Sequence, residues 1–339
     1  MDPTIQRILL SDRELGLRGV SDLASRAHVL LRHQKGTWPL LRTGYEGLAR
    51  VQTRTIDMDG FPIRLQWNPA RIISSSASVD AESIRARKCF LCPANLPESQ
   101  RGILFGGNYL VLCNPYPIFQ EHFTIPHTAH TPQRIGTSFG TMLDLAQAMQ
   151  KRYTVVYNGP KSGASAPDHL HFQAGEKGFL PLEADIDSLI DGGEVLADSR
   201  EMRVVAVDAQ LRRFVALRSH ERESLIGAFR AVESAFPGAA GGKEEPMMNV
   251  LASFDRGEWT VLAFPRARHR PSMYFAQGER RILISPAAVD CGGVLITPLE
   301  KDFQGLSADH VREMFDEIFL SAPSFQEVRS QLAGNLTPR

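Results

Sequence analysis

The sequence predicts an α+β protein in two related halves, residues 1–178 and 179–339, and three observations predict it. Polar and apolar residues alternate through "RVQTRTIDMDGFPIRLQWNP" around the pair Asp59-Gly60, the signature of a strand hairpin. Between Asn108 and Gly159 the apolar pattern runs from strand to strand to helix to strand. After about residue 180 that order partly recurs.

The elements follow in order. Leu9, Leu10, Leu15, Leu17, Val20, Leu23, Ala24, Ala27, Leu30 and Leu31 stand at helical spacing, interrupted by Gly16 and Gly19, so two short helices lead into the chain. The hairpin at Asp59-Gly60 then opens a sheet. "NYLVLCNPYPIFQEHFTIP" supplies two strands separated by Pro115 and Pro117, "SFGTMLDLAQAMQKRY" a helix, and "TVVYNG" a short buried strand ending at Gly159. In the second half "LRRFVALRSHERESLIGAFRAVESAF" reads as helical. "PMMNVLASFDRGEWTVLAFPRARHRP" reads as two strands joined across Asp255 to Gly257, with "RILISP" and "GGVLITP" as further strands. "WTVLAFPRARH" echoes "FTIPHTAH" as strand, proline, histidine, and "PGAAGGKEEP" from 237 is a loop.

Composition excludes several classes. The 339 residues are 43% hydrophobic, enough for a substantial core, and Lys plus Arg equals Asp plus Glu at 38 each. With no net field, nucleic acid and anionic membranes are not expected partners, and an anionic ligand must be met by local charge. No apolar run approaches the roughly 18 residues of a membrane span, and "MDPTIQRILLSDRELG" lacks signal-peptide character, so a cytoplasmic protein is expected. Cys89, Cys92, Cys113 and Cys291 are too few for a disulfide framework.

Three motifs carry chemistry. Cys89-x-x-Cys92 in "KCFLCP" has the spacing of a zinc half-site; Pro93 and a loop follow it, where a redox pair would open a helix. Its remaining ligands would come from His122, His127, His130, His169 and His171. In "HLHFQ" a strand would place His169, His171 and Gln173 on one face, with Leu170 and Phe172 in the core behind. Just upstream, "GPKSGAS" offers Lys161, Ser162, Gly163 and Ser165 as an anion cradle; it is not a P-loop, because no Gly-Lys-Ser/Thr ends it and no helix pattern follows.

The pattern His-x-His-x-Gln after a Gly/Ser loop, with an upstream Cys-x-x-Cys and the intervening "HFTIPHTAH", resembles the histidine-triad superfamily. Within it the chain is most similar to the galactose-1-phosphate uridylyltransferase branch, which includes the diadenosine tetraphosphate and GDP-galactose phosphorylases. In the superfamily's hydrolases the last motif position is a third histidine; here it is Gln173, as in the transferases. The resemblance spans about residues 60 to 175 and extends loosely, as a degenerate second copy, over 180 to 320. It implies two histidine-triad-like halves, each an antiparallel sheet with helices on one side.

The same resemblance implies the roles. His171 would be the nucleophile, forming a covalent nucleotidyl intermediate in a two-step transfer. Gln173 would bind the phosphoryl oxygens, Ser165 and the 162 to 165 backbone the non-transferred phosphate, and Asn158 would help fix the loop or the nucleophile's ring. His122 would face the active site. A structural zinc would be held by Cys89, Cys92, His130 and His169, four protein ligands making a closed site. The implied substrate is a nucleotide-containing small molecule, a dinucleoside polyphosphate or nucleotide-sugar, with a homodimer as the expected assembly. A hexose-1-phosphate nucleotidylyltransferase and a zinc-stabilised nucleotide-binding protein are the alternatives. Asp168 and Leu170 depart from the uridylyltransferase pattern, which has proline or asparagine-proline before the motif and proline at its middle position. In the second copy, Arg266, Arg268, His269 and Arg270 read as a solvated basic turn, with phosphate or carboxylate binding as the alternative. "RARK" at 85 to 88 poses the same choice beside the cysteine pair.

Overall fold

The computed structural model describes residues 2–17, 22–72, 81–239 and 244–336, and the statements below concern these residues. Gly19 and Val20 of the lead-in, and residues 240–243 of the loop "PGAAGGKEEP", lie outside them. The lead-in forms helices Pro3–Ile8 and Leu23–Thr37, and a further helix, Pro39–Leu48, begins at a proline suited to its first turn.

Ten strands form one antiparallel sheet. They are β3 (Gly102–Phe105), β4 (Tyr109–Cys113), β5 (His122–Pro126), β6 (Tyr153–Asn158), β7 (His171–Glu176), β8 (Glu194–Asp198), β9 (Arg203–Ala209), β10 (Arg212–Ser219), β11 (Met248–Asp255) and β12 (Glu258–Pro265). Their spatial order is β3-β4-β5-β7-β6-β11-β12-β10-β9-β8. Each side of the β6–β11 seam repeats one plan: three strands, a helix, then two strands inserted in reverse order. The helices so related, Phe139–Met149 and Arg222–Ala235, meet through Phe139 and Phe229, whose rings stack with centroids 3.8 Å apart. In this plan β12 corresponds to β7 and β10 to β5. The echo between "WTVLAFPRARH" and "FTIPHTAH" therefore joins strands that are not equivalent, although the duplication itself is present.

The hairpin of β1 (Gln52–Asp57) and β2 (Pro62–Trp67) turns through Asp59 and Gly60, both at positive φ, as a two-residue hairpin requires. It does not open the main sheet. It forms a separate three-stranded sheet with β13 (Val294–Thr297), which pairs parallel to β2 from the other end of the chain.

Two cores result, one on each face of the ten-stranded sheet. One takes Val155, Tyr157, Phe172, Val250 and Val261 against the long helices. The other takes Val156, Leu251, Leu262 and Phe214 against Leu65, Leu295 and the helices Leu182–Asp191 and Ala308–Ile318. Helices thus lie on both faces, not one. Two sequence expectations also change. "LRRFVALRSHERESLIGAFRAVESAF" is strand β10 before it is helix, because Gln210 and Leu211 turn at positive φ and pair β10 with β9. "RILISP" is extended but joins no strand of either sheet: its backbone bonds run instead to Gly278, Met273, the Asp302 carboxylate, Lys301 and Arg266.

Candidate functional site: a histidine strand beside a Cys2His2 cluster

Alternation along β7 sends Phe172 and Ala174 into the core under the long helices and turns His171 and Gln173 to the opposite face. His169 lies in the turn before β7, so the expected row of three on one strand face holds only for His171 and Gln173. At the end of this strand pair the ladder between β6 and β7 stops at Val156↔Gln173. The side chain of Gln133, 1% exposed, takes over. Its Oε1 accepts from His171 N at 2.8 Å, and its Nε2 donates to the carbonyls of Asn158 at 2.8 Å and His171 at 3.1 Å. This amide replaces a stretch of ladder and holds the two strands apart where His171 stands.

His171 is buried, with Nδ1 2.8 Å from the carbonyl oxygen of His169. A carbonyl only accepts, so the proton sits on Nδ1 and the lone pair on Nε2. Burial pushes the imidazole down to about 4, which keeps the ring neutral. On the neighbouring strand, His122 Nδ1 accepts from Ile118 N at 3.2 Å and its Nε2 lies 2.9 Å from Gln173 Oε1. His122 is 1% exposed and both its ring nitrogens have protein partners, so it stands behind Gln173 and does not line the surface a ligand would meet.

The glycine-rich loop is tied down by the second half of the chain. Asn158 Oδ1 accepts from Asn249 Nδ2 and from Ala288 N, each at 2.9 Å, and Asn249 Nδ2 also donates to the carbonyl of Ser162 at 2.6 Å. Arg266 Nη1 in turn donates to Asn249 Oδ1 at 2.5 Å. Arg266 is buried and its guanidinium is shared among the carbonyls of Ile318, Pro286, Arg268 and His269, so it is a core cation and not part of a solvated turn. Gly163 has φ +95°, and a Cβ there would sit 2.6 Å from that of Ala287. Ser162 is fully buried and Ser165 half-buried. Lys161 turns outward to an ion pair with Glu244. Sequence reasoning passed over Gln133 and Asn249, since single amides outside a motif carry no spacing signal.

The Cys2His2 cluster lies at the other end of the same turn. Cys89 Sγ is 3.3 Å from His169 Nδ1, Cys92 Sγ is 3.3 Å from His130 Nδ1 and 3.6 Å from His169 Nδ1, and all four ligand atoms fall within 4.8 Å of one another. A tetrahedral ion with sulfur at about 2.3 Å and nitrogen at about 2.0 Å has ligand-to-ligand edges of about 3.3–3.8 Å. The His169 Nε2–H donates to the carbonyl of His127 at 2.8 Å, so its Nδ1 lone pair faces the thiols. The four residues fit a metal ion. His127, also considered as a ligand, packs its ring edge-on to Tyr109. Arg87 of "RARK" pairs with Asp168 at 2.9 Å, and Asp168 Oδ2 is 3.8 Å from His130 Nε2, so this arginine braces the cluster.

Comparison with known proteins bears on the fold. Residues 30–176 match the family described as "Domain of unknown function (DUF4922)", and residues 193–338 the family described as "GDPGP1-like, C-terminal domain". The structure is similar to that of yeast Ap4A phosphorylase Apa2, with a TM-score of 0.58 at 16% identity over 90% of this chain and 97% of that one. The same yeast enzyme in complex with AMP gives 0.56 at 15% over 90% and 99%, and in complex with Ap4A 0.57 at 13% over 89% and 99%. The chain thus shares the fold of this phosphorylase over nearly its whole length. A search of the curated proteins finds no match. The His-x-His-x-Gln stretch occurs in the first half alone: on β12, the counterpart of β7, the corresponding stretch begins Glu258-Trp259-Thr260. No helix among the described residues is long and apolar enough to cross a membrane.

Proposed function

We propose that the protein is a nucleotidyltransferase of the phosphorylase type, acting on a dinucleoside polyphosphate or a nucleotide-sugar through a nucleotidyl-His171 intermediate. The observation that carries this reading is the bond from His171 Nδ1–H to the His169 carbonyl, which leaves Nε2 with its lone pair directed away from the backbone on the face shared with Gln173. In the first step the Nε2 pair attacks the α-phosphorus, and the bond to the leaving phosphate oxygen breaks with its electrons on that oxygen. The His169 carbonyl supports the positive charge that the ring acquires. In the second step an oxygen of inorganic phosphate or a sugar phosphate attacks, and the P–N electrons return to Nε2. Gln173 and the 162 to 165 backbone supply hydrogen bonds to phosphate oxygens, with Ser165 at the loop's end and Asn158 fixing the loop. Similarity of fold to a phosphorylase described in complex with AMP and with Ap4A supports the substrate class.

For the Cys2His2 site the reading is structural zinc, held by Cys89, Cys92, His130 and His169. Four protein ligands close the coordination sphere, so the ion would supply cross-linking of the turn and no activated water. Intact-mass analysis after brief incubation with nucleotide-sugars and dinucleoside polyphosphates, without phosphate, tests the reaction. Wild type should gain one nucleoside monophosphate and His171→Ala should not; an equal gain in the variant discards the nucleophile.

A further inference from the structure

We propose that His122 is a positioning residue that decides which end of the Gln173 carboxamide meets the transferred phosphoryl group. The proposal rests on the reading of His171 and Gln173 given above and adds a part to it. A backbone N–H can only donate, so the 3.2 Å contact from Ile118 N makes His122 Nδ1 the acceptor and places the ring proton on Nε2. That N–H can satisfy only an acceptor, and the group 2.9 Å away is therefore the amide oxygen of Gln173. The amide nitrogen, with its two protons, is consequently the end left for the face where His171 stands. With the amide turned over, a carbonyl oxygen would point at phosphoryl oxygens and repel the charge that the transition state gathers there.

The ring is well held for this task. Phe119 packs edge-on at 5.1 Å, and Tyr45 binds the His122 backbone twice, accepting from its N–H at 3.1 Å and donating to its carbonyl at 3.4 Å. Burial, then the nearby Arg71 cation, push the imidazole down to about 3, so one tautomer persists across the working range.

A double-mutant cycle on the rate of nucleotidyl-enzyme formation tests the relay. His122→Phe keeps an aromatic ring and removes both nitrogens; it should slow adduct formation by about 100-fold, the scale of losing one oriented donor. In a Gln173→Ala background the same change should cost less than about twofold, because nothing remains to be oriented. His122→Gln, which can both accept from Ile118 N and donate to Gln173, should stay within about tenfold of wild type. Effects of His122→Phe and Gln173→Ala that multiply would overturn the relay and leave the role of Gln173 standing. A Gln173→Ala enzyme as fast as wild type would overturn both. Should His122→Phe not fold, a loss in His122→Gln as large as that in Gln173→Ala overturns the relay by itself.

Discussion

The carbonyl oxygen of His169 lies 2.8 Å from Nδ1 of His171, so one residue serves two neighbours: its ring faces the cysteine pair and its backbone sets the tautomer of the next histidine on the motif. Anything that moves the cluster moves that carbonyl. The geometry of the Cys2His2 cluster and the ring orientation of His171 are coupled through three consecutive residues.

Metal removal is the first consequence. Purified protein should carry about one zinc per chain by elemental analysis. Stripping it with a strong chelator should lower the melting temperature and slow nucleotidyl transfer together, since the turn bearing His169 loses its anchor. Cys89→Ser should lose the metal outright. A metal-free protein with unchanged melting and rate would remove the cation from the account.

On the proposed reaction, Gln173→His places a third histidine at the motif position where histidine-triad hydrolases carry one. The expected result is a shift of product from nucleoside diphosphate, made with phosphate as acceptor, toward nucleoside monophosphate, made with water. Chromatography of the products at fixed phosphate reads the ratio. An unchanged ratio detaches this position from acceptor choice.

Gln133→Leu keeps the volume of the wedge between β6 and β7 and strips three hydrogen bonds from it. The backbone groups of His171 and Asn158 left behind are buried, so a loss of about 3 kcal/mol in denaturant unfolding is expected. A loss below about 0.5 kcal/mol would show that the strands do not depend on it.

Glu245 predicts a pH effect. Burial pushes its carboxyl up to about 7, although Tyr157 Oη and Ile135 N hydrogen-bond to it at 2.7 and 2.5 Å. The folded state therefore holds a proton that the unfolded chain releases near 4.5. This contribution to stability is full below about 4.5 and declines until about pH 7, by on the order of 3 kcal/mol. Glu245→Gln, which mimics the protonated form, should flatten the dependence of unfolding free energy on pH across that window. A variant with the same slope as wild type would assign the effect elsewhere.

Much of the site was legible because it depends on local spacing. Cys89-x-x-Cys92 lies within one turn and His169-x-His171-x-Gln173 runs from a turn into β7, short spans in which a few residues fix the geometry. The hairpins at Asp59-Gly60 and Asp255 to Gly257 were legible for the same reason. What the sequence hid depends on long-range packing. Gln133 reaches His171 across 38 residues and Asn249 reaches Asn158 across 91, and neither pairing leaves a periodic trace. Arg266 looked like surface charge because arginine in a Pro-Arg-Ala-Arg turn usually is; here four backbone carbonyls and Asn249 satisfy it in the core. The β10 segment looked helical because its alternation is short, and pairing with β9 and β12 outweighed helix propensity.

The seam between β6 and β11 has a consequence for descent. In a symmetric assembly of identical copies every substitution falls on all copies at once, so a loss in one active site is a loss in all. Joined in one polypeptide, the two repeats are free to diverge. The later repeat carries Glu258, Trp259 and Thr260 at the start of its counterpart strand, while Asn249 and Arg266 from that repeat now hold the earlier one's loop in place. The later repeat thus serves as its twin's scaffold, and substitutions at Asn249 and Arg266 are constrained by the amide and guanidinium geometry that holds the loop.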